Sequence, residues 1–254
     1  MKITQVDKDL LWQMIKTDFK MRYNSSVLGF FWVLLQPLLN FLVLYLVFGF
    51  LFSKGDEFFI LRLILGILIV QYFSEGTSKG LTSLVSKSNI LLKVNFPRQI
   101  AIVASSINSF IAMLFSFIIF IVFWIFKPTE VTLFWLLIPV YLIVFTTLII
   151  GISFIMSILY VRFRDLQKIW AVSMRLIFYG SAVFYPVTII PEKYRYILFL
   201  NPVAVVIHHI RQIIIDNQVP DFKFLIVLAL LSVTIFLIGY FYFKKKVKKI
   251  AEYF

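Results

Sequence analysis

The chain has no cysteine and only two histidines, and just 15% of its 254 residues are charged. Without cysteine there is neither a disulfide framework nor a thiolate metal site. The histidines are adjacent, His208 and His209, and neighbouring helical positions point about 100° apart, a poor arrangement for a shared metal. They read as a buried or headgroup-level pair, and no metal is expected. No Gly-x-x-x-x-Gly-Lys-Ser/Thr loop is present to cradle ATP phosphates. No apolar stretch carries two carboxylates for acid–base work, and no catalytic residue is assigned.

What is abundant is apolar surface. Hydrophobic residues make up 61% of the chain and aromatics 19%, including thirty Phe. Soluble domains run near 45–50% apolar and about 25% charged, and a domain of this size could not hide so much apolar side chain from water. The solvent is therefore lipid, and the expected fold is an all-α polytopic membrane protein. A spanning helix needs about 20 apolar residues. Six stretches qualify: Val27–Phe52, Phe58–Val85, Ile100–Phe126, Val131–Tyr160, Ile169–Pro186 and Phe222–Phe243. Between the fifth and sixth, the apolar residues 187–218 are broken by Asn201-Pro202, His208, His209 and Arg211. They are expected to form a re-entrant hairpin rather than a crossing.

Six crossings put both termini on one side. With that side cytoplasmic, inner segments hold seventeen of the twenty-five Lys and Arg residues, which satisfies the positive-inside rule. The net charge of +13 is then explained by contact with anionic headgroups, and nucleic acid is not an expected partner. The charged first residues lack the apolar core of a cleaved signal peptide. Instead Ile3, Val6, Leu10, Met14, Thr17 and Met21 recur every three or four positions, predicting an amphipathic interfacial helix over residues 1–25. A basic tail, residues 244–254, closes a single domain.

Within the spans, Gln71, Ser74, Glu75, Ser78 and Thr82 share one helical face. In lipid such a stripe must meet protein or water, so it is either helix–helix glue or a hydrated path. Glu75 and Arg175 lie at similar depths in the second and fifth spans, and are expected to pair or to share one wet wall. In the first span Phe30, Phe41, Tyr45, Phe48 and Phe52 fill a sector of roughly 60°. They face either lipid or an aromatic-lined lumen, while Gln36 and Asn40 occupy another face. Ala101, Ser105, Asn108, Ala112 and Ser116 form a small-residue seam suited to close helix contact.

Five segments occur in order: RYNSSVLGFFWVLLQPL (Arg22–Leu38), NILLKVNFPRQI (Asn89–Ile100), VRFRDLQ (Val161–Gln167), FYPVTIIPEKYR (Phe184–Arg195) and FLNPVAVVIHHIRQII (Phe199–Ile214). In this the chain resembles the polysaccharide-export ABC transporter permeases of the type-2 branch, the O-antigen and teichoic-acid exporters. The resemblance implies a homodimer in the inner membrane whose ATP and magnesium sit on a separate cytoplasmic ATPase subunit, one that can carry a carbohydrate-binding domain. It implies a lipid-linked glycan as substrate and a channel lined by the first and fifth spans. It also places an ATPase-coupling segment at Ser88, Asn89, Ile90, Leu91, Leu92, Lys93, Val94, Asn95, Phe96, Pro97 and Arg98, and makes the N-terminal helix, with Leu10, Met14, Thr17, Met21 and Arg22, an ATPase-facing element. Leu91, Leu92, Val94 and Phe96 would be costly in water, and a partner's apolar cleft would bury them. Arg162 and Arg164 are candidates for contact with an acidic headgroup. Two rivals stand beside this reading: a permease for a small hydrophobic compound, and a membrane-embedded transferase.

Overall fold

Long apolar segments in lipid have no water to satisfy their peptide groups, so they close their hydrogen bonds within helices. The computed structural model describes residues 5–24, 28–53, 55–88 and 96–247, and every regular element among them is helical. The helices are α1 (Gln5–Asn24), α2 (Trp32–Phe52), α3 (Phe59–Ser86), α4 (Gln99–Phe126), α5 (Ile138–Arg162), α6 (Leu166–Tyr179), α7 (Arg195–Phe199), α8 (Pro202–Ile214) and α9 (Phe222–Lys246). Five of them, α2, α3, α4, α5 and α9, are long and apolar enough to cross a membrane.

The fifth expected span is shorter than its apolar letters suggest. α6 has 14 residues and stops at Tyr179, and the chain then turns through Gly180 and Ser181. Ala182 follows with φ at +52°, a left-handed conformation no helix continues through. Beyond it, the elements from Glu192 to Ile214 form two helical arms bent by 107°. Asn201 sits at that bend. Its side-chain oxygen accepts from the Val203 amide, and Pro202 occupies the first turn of α8, where its missing N–H leaves no bond broken. Asp221 caps α9 in the same way through the Lys223 amide.

α3 is the hub, packed against α2, α4, α5, α6 and α8. Of its most apolar window 72% is buried, against 17% in α2 and α9. Large apolar side chains on those outer helices, Leu46, Phe50 and Phe241 among them, stand exposed, as lipid or a second protein surface would require. Inner contacts rely on small residues. Ser116 donates to the Val33 carbonyl across the α4–α2 contact at 3.1 Å, the close approach expected of the small-residue seam. α5 and α9 meet at Gly151 and Gly239. A Cβ on Gly151 would lie 2.7 Å from the Phe236 backbone, so the helices would have to separate to admit one. Gly151→Ala is therefore expected to cost about 1–3 kcal/mol. A thermal melt in detergent would show it, and an unchanged midpoint would mean the contact yields easily.

Candidate functional site: a polar cleft between three helices

α1 packs on α4, but not by the whole face its periodicity suggested. Met14 and Ile15 are buried against Ile100 and Ala104, with Leu11 and Phe96 beside them. Leu10 is half-buried, and Val6 and Thr17 are exposed. The packed residues are thus Leu11, Met14, Ile15 and Phe19, a face that shares Met14 with the expected stripe and is centred to one side of it. The side chains of Met21 and Arg22 lie outside the described residues, as do Asn89, Ile90, Leu91, Leu92, Lys93, Val94 and Asn95 of the expected coupling segment. Its described members are tied to their own chain. Ser88 and Pro97 are half-buried. Phe96 packs between α1 and the α5–α9 cluster, so it is not a free apolar anchor. Arg98 donates to the Val247 carbonyl at 2.6 Å.

The aromatic sector of α2 turns towards its own chain. Phe30 stacks edge-on against Phe115 at 4.8 Å. Phe41 is buried beside Tyr45 and Phe123, and Phe48 stacks on Phe184 at 4.1 Å. Phe41 and Phe48 thus pack within their own chain, wedging α2 against α4 and the segment after α6, whereas Phe30, just before α2, and Tyr45 keep exposed faces. A ring gains more from a second ring than from lipid, about 0.5–1.5 kcal/mol beyond area burial.

The opposite face of α2 carries Gln36 and Asn40, and these open onto a cleft of about 730 Å³. α3 contributes Gln71, Ser74, Glu75 and Ser78, and α6 contributes Met174, Arg175, Phe178 and Tyr179. The stripe on the second span and the one base within the fifth thus meet on one wall. They do not pair there. Glu75 accepts from Lys79 at 2.7 Å, one turn along its own helix, and among the described residues no carboxylate lies within ion-pair distance of the exposed Arg175. Trp170 fixes α6 to α3 by donating to the Thr77 hydroxyl at 3.0 Å.

These helices match a known pattern over most of their length. The signature of the ABC-2 type transporters covers residues 9–215, from α1 to the end of α8. This chain is an ABC-2 type transporter. An O-antigen export system permease protein RfbA of Klebsiella pneumoniae is 29% identical over 247 residues, 96% of this chain and 94% of that protein. The RfbA of Myxococcus xanthus is 26% identical over 247 residues, 96% of this chain and 95% of its own. The polysialic acid transport protein KpsM of Escherichia coli is 20% identical over 238 residues, 92% of each.

In this ABC-2 protein the cleft offers amides, hydroxyls, the Arg175 guanidinium and the Glu75 carboxylate already bridged to Lys79, groups that can hydrogen-bond a ligand. Among the described residues no three His, Asp or Glu side chains gather as a metal site would require. Gly76-Thr77-Ser78-Lys79-Gly80 matches the letters of a hydrolase nucleophile elbow, yet it lies inside the unbroken helix α3 and has no strained strand-to-helix turn. Arg162 and Arg164 stand exposed around the α5–α6 junction, over the rings of Phe163 and Tyr160 at 5.7 and 5.3 Å.

At the far end of the bundle lies a group that its sequence presents only as an interruption. Arg211 of α8 is buried, and its guanidinium donates to three carbonyl groups. Nε and Nη2 reach Arg62 O at 3.0 and 2.7 Å, Nη1 reaches Ala182 O at 2.8 Å, and Nη2 reaches Val183 O at 2.7 Å. Arg62 itself bridges Asp216 at 2.6 Å and Asp56 at 3.0 Å. Gly66 makes room for this arrangement, since a Cβ there would lie 2.7 Å from the guanidinium.

Proposed function

We propose that the chain is the transmembrane subunit of an ATP-driven exporter that passes lipid-linked polysaccharide across the cytoplasmic membrane between two copies of itself. The observation that carries this reading is the cleft. Neutral amides and hydroxyls bind sugar hydroxyls through exchangeable hydrogen bonds, each worth only about 0.5–1.5 kcal/mol net, so a long chain can slide without being trapped. Val43, Leu44 and Val70 beside them suit the C–H faces of sugar rings. The names of the relatives, which cover both an O-antigen and polysialic acid, support a polysaccharide and leave the sugar open.

The exposed apolar faces of α2 and α6 flank the cleft, so a second copy would close it into a path. Both termini would be cytoplasmic, in keeping with the basic inner segments. α6 at 1.5 Å per residue reaches about 21 Å, short of about 30 Å of hydrocarbon. α6 would still be the remaining crossing, and the bent arms of α7 and α8 would lie beyond it as a re-entrant hairpin at the outer face. ATP and magnesium would bind a separate cytoplasmic subunit, with or without a carbohydrate-binding domain. That subunit would be met by Ser88–Arg98 and α1, and its ATP state can drive the path open only if it alters contacts there.

Co-purification with the partner ATPase in mild detergent tests the assignment. The native chain should retain the ATPase, and Leu92→Asp should lower retention fivefold or more while leaving the melt unchanged. Full retention by the variant would remove the coupling role from this segment. Failure of the native chain to bind any ATPase would overturn the exporter reading itself.

A further inference from the structure

A second cavity, of about 370 Å³, lies beneath α1. Its roof is α1, through Leu10, Met14, Thr17 and Phe19, and its walls are the ends of α3 and α4. The volume falls in the range of small-molecule sites and would hold about ten waters. One lining group has no structural use. Asn108 is 4% exposed, and neither its Oδ1 nor its Nδ2 has a hydrogen-bond partner. A buried carboxamide with both ends unmet is costly, and its environment could have been filled by leucine at no loss of volume. Nearby polar groups are already engaged. Lys87 pairs with Asp18 at 2.6 Å and donates to the Ala101 carbonyl and the Ser105 hydroxyl. Asn108 is therefore kept for something that enters the cavity.

The chemistry of the lining defines the ligand. A carboxamide that can donate and accept matches hydroxyls, which do the same. Lys79 brings an ammonium to the same wall, one of its three donors bridging Glu75 at 2.7 Å, and Leu10, Met14 and Phe19 bring apolar surface. An amphipathic helix lies at the headgroup level of a bilayer, so what reaches the space under it comes from the lipid boundary. We propose that this cavity holds the head group of one anionic glycerophospholipid, its glycerol hydroxyls on Asn108 and its phosphate towards Lys79. The bound lipid wedges α1 at a fixed height over α3 and α4. The export path is a neighbouring cleft that touches this one through the Lys79–Glu75 pair, and the lipid assignment does not depend on the exporter reading.

Native mass spectrometry of the detergent-purified full chain tests this, with dioleoyl phosphatidylglycerol, dioleoyl phosphatidylcholine and farnesyl phosphate as probes. One phosphatidylglycerol per chain should be retained in preference to phosphatidylcholine. Retention should be tenfold weaker in Asn108→Leu, which removes the polar floor, and in Thr17→Trp, which fills the cavity from an exposed position. In lipid-free detergent Asn108→Leu should melt roughly 2–4 °C higher than the native chain, because an unmet carboxamide is gone, yet lose any rise on adding phosphatidylglycerol. A merely structural Asn108 would instead lower the melt. Equal retention of the two phospholipids, undiminished binding in Thr17→Trp, or preference for farnesyl phosphate would each overturn the assignment to a resident glycerophospholipid. No ATPase or transport assay is involved, so failure here and failure of the exporter reading are distinct results.

Discussion

Replacing Arg211 with methionine will lower the melting midpoint of the detergent-solubilised chain by roughly 6–12 °C. Methionine keeps the apolar stem and fills similar space, so the loss isolates the guanidinium. The Ala182 and Val183 carbonyls lose their donor, while the Arg62 carbonyl inside α3 loses only its second partner, and each buried acceptor left unmet costs about 1–3 kcal/mol. A sum near the low end, about 3 kcal/mol, corresponds to that shift at about 2–4 °C per kcal/mol for a chain of this length. Ala182 adds to the effect, because its left-handed backbone persists only while its surroundings hold it. Arg211→Lys should recover little, since a single ammonium cannot reproduce a fork aimed at three oxygens. Arg62→Gln provides the contrast. It removes two ion pairs that are partly exposed but leaves the Arg62 carbonyl in place, so its loss should be clearly smaller. Equal melts for Arg211→Met and the native chain would mean that the segment after α6 is held by something else.

Arg211 also shows where sequence reasoning stops. Its neighbours in the chain are apolar, and it reads as a flaw in an otherwise membrane-like segment. Its purpose is set by Ala182 and Val183, nearly thirty residues earlier, whose carbonyls are freed only because α6 ends where it does. Hydropathy overextended that helix because Phe184 and Tyr185 add apolar letters whether or not the backbone is helical. The first four spans and the last were legible because lipid imposes a length and a composition on them, and the structure starts or ends them within a few residues of the expected limits. The facing of a helix was legible only where polarity forced it. The stripe on α3 had to meet something polar, and it does. The rings of α2 are content with lipid, lumen or each other, so their sector carried no direction. On α1 the expected row holds the buried Met14, but the four-residue spacing of Leu11, Ile15 and Phe19 beside it was the signal that set the packed face.

Arg175→Leu is expected to leave the melt unchanged and to lower ATP-dependent glycan export in proteoliposomes roughly ten- to hundredfold. The first half follows from exposure: among the described residues the guanidinium makes no ion pair or hydrogen bond, so the fold does not depend on it. The second half follows from its setting. A charge at such depth is expensive against lipid and is kept where water, a substrate or a pore is present. Loss of one charge-assisted hydrogen bond in passage, about 1.5–3 kcal/mol, gives that range of rate. Charge exchange separates the partners. Glu75→Lys with Lys79→Glu keeps a pair at four-residue spacing on α3 and should retain more export than Glu75→Gln alone. Glu75→Arg with Arg175→Glu should rescue nothing, because these two groups share a cleft without pairing. Rescue by that exchange would show that the transporting state closes α6 onto α3 further than the structure does. Unimpaired export by Arg175→Leu would move the glycan path away from this cleft altogether. Retained ATPase binding in each variant is what assigns a defect to the path rather than to the motor.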